Sequence, residues 1–234
     1  MYVPAYAKLT LSLRVVGLRS DGYHLIDAEM VSIHLADFLT FSAGDGLEVV
    51  GPAAHDVPAA DGNLVRRALA AVGRKAHVEL EKHIPAGSGL GGGSADAAAV
   101  LRWAGCDDLG VATSLGADVP FCLVGGRARV RGVGETVEPL EFEERQFTLL
   151  TPPFSVSTAA VYGAWDALGA PVSEGSNDLE PAALVVEPSL AEWRERLAQE
   201  TGAPVHLAGS GATWFVEGAF PGADRVVVTT VAPG

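Results

Sequence analysis

The segment His83–Trp103, "HIPAGSGLGGGSADAAAVLRW", sets five glycines into the seven positions from Gly87 to Gly93 and then turns alanine-rich and helical. Glycines crowded before a helix let backbone N–H groups approach a ligand without side chains in the way. The helix N-terminus adds unpaired donors and the positive end of its dipole. Together these describe a phosphate-binding loop. The plainer alternative is a flexible turn with Ser94 as an ordinary N-cap, but so many glycines exceed what a cap requires.

Two common phosphate loops fit poorly. Gly87, Gly89 and Gly92 satisfy G-x-G-x-x-G, with Asp107 or Asp108 about 20 residues on, where a dinucleotide fold places its acidic residue. The preceding strand, "HVELEKHIP", is nevertheless charged and ends in Pro85, whereas such a strand is apolar on both faces. No G-K-[ST] occurs, so the P-loop lysine is absent.

Working outward, "KLTLSLRV" alternates strictly, with Leu9, Leu11, Leu13 and Val15 on one face of a half-buried strand and Lys8, Thr10, Ser12 and Arg14 on the other. A turn at Asp21–Gly22 leads into one or two further strands antiparallel to it. Val49–Gly62 reads as a loop, and Asn63 as the cap of a helix whose stripe is Leu64, Val65, Ala68, Leu69 and Val72, stopped by Gly73. A helix is expected from about Ser94 to Ala104, and short strands alternating with glycine turns from Ser114 to Leu140. The acidic "EPLEFEER", Glu138–Arg145, marks a boundary. Beyond it come a strand at "QFTLLTPP", helices at "VSTAAVYGAWDAL" and "LAEWRERLAQETG", two strands around the glycine turn of "VHLAGSGATWFVEG", and a last strand at "DRVVVTTV". Without a regular βαβ rhythm, this is an α+β protein of two lobes.

The 234 residues suffice for such a core, and 48% hydrophobic against 19% charged residues excludes disorder. A net charge of -13, with no run of Lys or Arg, argues against nucleic acid as a partner. No signal peptide and no membrane-spanning run is evident, so a cytoplasmic protein is expected, its two cysteines Cys106 and Cys122 reduced and without metal-ligand spacing; a disulfide between them stays open.

"IPAGSGLGGGSADAAAVL" resembles the second motif of the GHMP kinases, and six further segments resemble that family in the same order along nearly the whole chain: "AYAKLTLSL", "RSDGYHLI", "GNLVRRAL", "LGADVPFCLVGGRARVRGVGE", "NDLEPAAL" and "AGSGATWFVE". "DGYH" with "LGADVPF" is similar to the branch that phosphorylates a cytidine-diphosphate-linked methylerythritol in the non-mevalonate isoprenoid pathway. The resemblance implies a two-lobed fold. Residues 1–143 would form an N-terminal lobe of mixed sheet and helices, and 144–234 a ferredoxin-like α/β lobe. It also implies ATP and Mg²⁺ as cofactors. Pro85, Gly87, Gly89, Leu90, Gly91, Gly92, Gly93 and Ser94 would hold the triphosphate, with Ser94 near the metal. Gly209, Ser210 and Gly211 would approach it from the second lobe. Asp118 would be the catalytic aspartate and Lys8 its partner. Tyr23, His24 and Tyr162 would hold the cytosine. By themselves these residues have ordinary readings: Asp118 a turn aspartate capped by local N–H groups, Lys8 an edge-strand charge, Tyr23 and His24 a hairpin tip.

Two departures stand out. Thr10 occupies a substrate-contacting position where the family has asparagine, and it reaches less far. Only about two dozen residues separate Ser94 from Asp118, so the helix that the family places there is expected to be trimmed, and Val161–Asn177 is compact as well. Another GHMP kinase with a different alcohol, and a catalytically silent nucleotide-binding homologue, remain as alternatives; oligomeric state is not encoded in any motif.

Overall fold

The computed structural model describes residues 1–55, 57, 59–60 and 62–233. The fold starts from a long hairpin. β1 (Tyr2–Leu18) and β2 (His24–Ser42) pair antiparallel from Tyr2 opposite Thr40 to Leu18 opposite His24. The chain reverses at Asp21–Gly22 as expected, and β2 runs on from there as a single strand. The other edge of β2 is shared. β3 (Gly46–Val50) lies parallel beside β4 (His77–Glu81), and β4 pairs with β2 at 38–42. β5 (Arg127–Gly132) pairs with β2 at 26–31, and β6 (Thr136–Pro139) closes that side. β3 overlaps the expected loop by two residues; of that loop, Asp56, Pro58 and Asp61 lie outside the described residues.

The alternation in β1 is interrupted by register shifts between Tyr6 and Lys8, Thr10 and Ser12, and Val15 and Gly17. Each such bulge exchanges the faces of the strand. The expected single stripe is therefore divided: Leu9 and Leu11 join one hydrophobic cluster, and Leu13 and Val15 join another. Lys8 and Thr10, expected on the polar face, are buried.

Helix α1 (Leu64–Ala71) starts where expected, with the Asn63 side chain accepting from the Val65 amide at 2.8 Å. Its buried residues are Val65, Ala68 and Leu69. α2 (Gly92–Ala104) begins two residues before the expected start, and its cap is Gly91 rather than Ser94. Its central run from Ala95 to Leu101 is buried throughout, because alanines let β1, α1 and α4 approach from several sides. α3 (Leu109–Leu115), capped by Asp108, lies almost wholly ahead of the stretch expected to be strands and turns, and that stretch itself opens with a helix, α4 (Val119–Val124), with Pro120 in its first turn. The seven residues of α3 occupy the interval expected to be trimmed. The glycines that suggest β-turns in this stretch include Gly116 and Gly125, which are helix ends.

The second sheet holds β7 (Gln146–Leu150), β8 (His206–Leu207), β9 (Trp214–Glu217) and β10 (Arg225–Thr229) in the order β10-β7-β9-β8, every pair antiparallel. This is the strand order of a ferredoxin-like sheet, although the seven residues from Gly218 to Asp224 that lead into β10 contain no helix. Helices α5 (Thr158–Ala167), α6 (Glu180–Val186) and α7 (Leu190–Thr201) fall between β7 and β8; α6 was not expected. A small core joins the sheets, with Leu9, Ile33, Ile84 and Leu90 against Phe147, Leu149, Phe215 and Val228.

The halves come into close backbone contact at Gly89. Its φ is +80°, and a Cβ there would lie 2.3 Å from the Ala208 carbonyl oxygen and 2.7 Å from that of Gly211. Both neighbours are backbone and cannot turn aside. Gly89→Ala is therefore expected to destabilise by about 2–4 kcal/mol, from left-handed strain plus overlap. Thermal unfolding checks this; a Tm within a degree of wild type would mean that the halves do not meet in this way.

Candidate active site

A cleft of about 1040 Å³ opens between the two halves and gathers nearly all the residues singled out from sequence. At its floor, the Lys8 ammonium donates to the Thr10 hydroxyl at 3.1 Å and lies 3.4 Å from an Asp118 carboxylate oxygen. Lys8 is 5% exposed, so it is no edge-strand charge, and the Asp118 side chain makes no capping hydrogen bond to α4. The plain readings of both residues are thus set aside by geometry. Lys8 is held by backbone on each side: its amide donates to the Leu90 carbonyl at 3.0 Å, and a Cβ on Gly209 would sit 3.3 Å from its ammonium nitrogen. Thr10, smaller than the amide expected there, serves as the acceptor that fixes the ammonium.

Pro85, Gly87, Gly89, Gly91, Gly92, Gly93 and Ser94 line the cleft, as do Gly209 and Ser210. Leu90 and Gly211 are not among the lining residues: the Leu90 side chain is buried in the core between the sheets, where its apolar surface leaves water, and Gly211 packs against Leu207. The Ser210 hydroxyl shares a hydrogen bond of 2.8 Å with Thr158, tying the glycine turn to the start of α5. The first amides of α2 have no partner within their own helix and border the cleft.

At the other end, Tyr23 is 60% exposed beneath the Arg19 guanidinium, 5.2 Å from the ring centre. His24 is enclosed: its ring stacks on Tyr162 with centroids 4.6 Å apart. Burial, with some help from Asp118, pushes the Tyr162 phenol up to about 12, so it stays a neutral donor.

Sequence reasoning missed a buried cluster under the glycine loop. Lys82, at the end of β4, donates to Asp37 of β2 and, at 2.7 Å, to Asp96 of α2; all three are at most 3% exposed. Asp37 also accepts from the His83 and Ile84 amides, at 2.6 and 2.8 Å. The second oxygen of Asp96 has no partner among the described residues. Burial alone would lower the Lys82 ammonium, but Asp96 and Asp37 hold it above its ordinary value. Burial pushes the Asp96 carboxyl up to about 7 against the pull of Lys82. The available signal was an aspartate within an otherwise apolar helix start.

Residues 63–126 match the family described as GHMP kinases N terminal domain. The chain is similar to the 4-diphosphocytidyl-2-C-methyl-D-erythritol kinases of Cereibacter sphaeroides (39% identical, covering 90% of this chain and 87% of that one) and Paracoccus denitrificans (39%, 90% and 84%). It also superposes on a crystal structure of 4-(cytidine 5'-diphospho)-2C-methyl-D-erythritol kinase with a TM-score of 0.77 at 33% identity, covering all of both chains.

The raised Asp96 carboxyl keeps its proton in the fold where the unfolded chain has released it. Its contribution to stability is therefore complete below the ordinary 3.8 and is lost as pH rises toward 7. Denaturant midpoints of the wild type should fall between pH 5 and pH 8 more steeply than those of Asp96→Asn, which cannot titrate there. Parallel profiles would show that Asp96 is ionised throughout.

Proposed function

The chain belongs to the 4-diphosphocytidyl-2-C-methyl-D-erythritol kinases, which are GHMP kinases, and from that premise we propose that its cleft transfers the γ-phosphoryl group of ATP to a hydroxyl of 4-diphosphocytidyl-2-C-methyl-D-erythritol. It is a small-molecule kinase. The observation that carries the site assignment is Lys8 at 3.4 Å from Asp118 in a cleft bordered by the glycine loop on one side and by Tyr23, His24 and Tyr162 on the other.

Phosphoryl transfer asks for position and charge compensation more than for covalent chemistry. The glycine loop and the first turn of α2 offer backbone donors to the triphosphate, and Gly209 and Ser210 close on it from the second half. The substrate hydroxyl oxygen forms its bond to the γ-phosphorus as the bond to the bridging oxygen of ADP breaks, and its proton passes to Asp118. Lys8 has three donors: one is held by Thr10, one faces Asp118, and the third is free for an oxygen of the reacting group. Tyr23 and Tyr162 supply aromatic faces for the base.

The residues fit Mg²⁺ held chiefly by phosphate oxygens, since that ion takes one or two protein oxygens and keeps its remaining positions for phosphates and water. Among the described residues no group of three carboxylates, histidines or cysteines is available to cage it, and Ser94 and Asp96 border the cleft as oxygen donors. The ion would neutralise charge on the transferring phosphoryl group. We further propose lobes 1–143 and 144–234, dividing the chain just before β7 enters the second sheet. We also propose a cytoplasmic location, consistent with two free cysteines, Cys122 being made unreactive by burial that pushes its thiol up to about 12. Among the described residues no helix is long and apolar enough to cross a membrane.

ADP release should be seen with the cytidine compound and not with mevalonate, homoserine or galactose; turnover of one of those alone would reassign the acceptor. Asp118→Asn should lower kcat by about 10²–10⁴-fold with ATP affinity nearly intact, and near-normal turnover would remove Asp118 from the mechanism. Tyr23→Ala should weaken binding of the cytidine substrate by about 1–3 kcal/mol, the scale of base stacking, which an unchanged KM would refute.

A further inference from the structure

His24 is the first residue of β2, but helix α5 decides how its ring is presented. Tyr162, Trp165 and Asp166 stand at positions i, i+3 and i+4 of that helix and so share one face. Tyr162 stacks on the imidazole, Trp165 meets it edge-on with centroids 5.6 Å apart, and an Asp166 carboxylate oxygen lies 2.9 Å from Nε2. The ring is clamped, its side chain only 11% exposed, and His24, Tyr162 and Asp166 all border the cleft. A carboxylate accepts and does not donate, so the contact places the proton of the neutral ring on Nε2 and leaves Nδ1 with its lone pair.

We propose that Asp166 is a specificity-determining positioning residue: by holding His24 in the Nε2–H form, it makes the ring a hydrogen-bond acceptor that favours a pyrimidine bearing an exocyclic amino group over one bearing a carbonyl there. Cytosine presents an amino donor at the position where uracil presents an acceptor oxygen, and only the former satisfies a lone pair. Asp166 is half exposed on the outer rim, so it acts through His24 and not through the phosphates. This rests on the reading that Tyr23, His24 and Tyr162 hold the base.

The test uses the ¹⁵N-labelled full chain. Long-range ¹H–¹⁵N spectra read the tautomer of His24, and titrations with CDP and with UDP read base preference without needing turnover. The wild type should show Nε2–H and prefer CDP. Asp166→Ala should mix the tautomers and cut the CDP-to-UDP preference about tenfold, the scale of one unmatched hydrogen bond. Asp166→Asn, whose side-chain carbonyl still accepts, should restore both. A wild-type ring protonated on Nδ1, or an Asp166→Ala variant with undiminished preference for CDP, overturns the proposal. Absence of ADP release with the cytidine compound would instead overturn the substrate reading, while the CDP-to-UDP ratio still decides the role of Asp166.

Discussion

The ammonium of Lys82 is the point on which the arrangement of the cleft depends. Along the outer edge of β2, β4 pairs down to residue 38 and β5 only from residue 31, and between them Ser32 and Ile33 are met by Gly126, Thr230 and Val231. Asp37 stands just past the last β4 pair and holds the chain leaving β4: one oxygen takes the amides of His83 and Ile84, and the other takes Lys82. Lys82 in turn reaches Asp96, so the end of β4, the edge of β2 and the first turns of α2 are joined through one buried cation. The glycine loop is the chain between Lys82 and Asp96, fixed at both ends by the same group. A buried ion cluster is poor evidence for net stability, because desolvation offsets much of the attraction. Its contribution is to geometry, since an apolar substitute would fill the space without setting the distance between strand and helix.

The cleft is a property of two sheets in contact. Lys8, Thr10, Asp118 and the glycine loop come from the first sheet and its helices, and Gly209, Ser210, Tyr162 and Asp166 from the second half. The core between the sheets is small, and the backbone turn at 208–211 rests directly on Gly89. The glycines of the loop thus answer two demands at once. Some expose amides to a ligand, and Gly89 admits a neighbouring backbone that any side chain would push away. Composition alone reports only that glycine is abundant, and cannot separate the two.

Local patterns were legible where one interaction dominates. Asn63 as a cap and the helix stopped at Gly202 follow from rules that span a few residues, and both are present. The region from Val119 to Val124 was misread because the glycine after it ends a short helix, and a helix of six residues carries too little periodicity to be distinguished from strands and turns. Lys8 with Asp118, and Tyr23, His24 and Tyr162, stand out in the sequence only by resemblance. The cluster of Asp37, Lys82 and Asp96 was not legible as a cluster: Lys82 lies 45 and 14 residues from its partners, and only Asp96, set in an apolar helix start, is out of place for a solvated surface.

The departure at Thr10 shows how the fold absorbs a change in its own site. The bulge between Thr10 and Ser12 re-aims β1 just past Lys8, so the side chains of Lys8 and Thr10 are buried together while Leu13 turns to the other core. A threonine is stiff at χ1, and in this buried strand its hydroxyl is brought to 3.1 Å from the ammonium. The ammonium is therefore oriented before any ligand arrives, between Thr10 and Asp118 and with Gly209 close above it. Charge that is already in place does not have to be reorganised as the phosphoryl group moves, which is where preorganised sites gain most of their rate. What an amide would have added in reach toward the substrate, the threonine replaces with a fixed lysine.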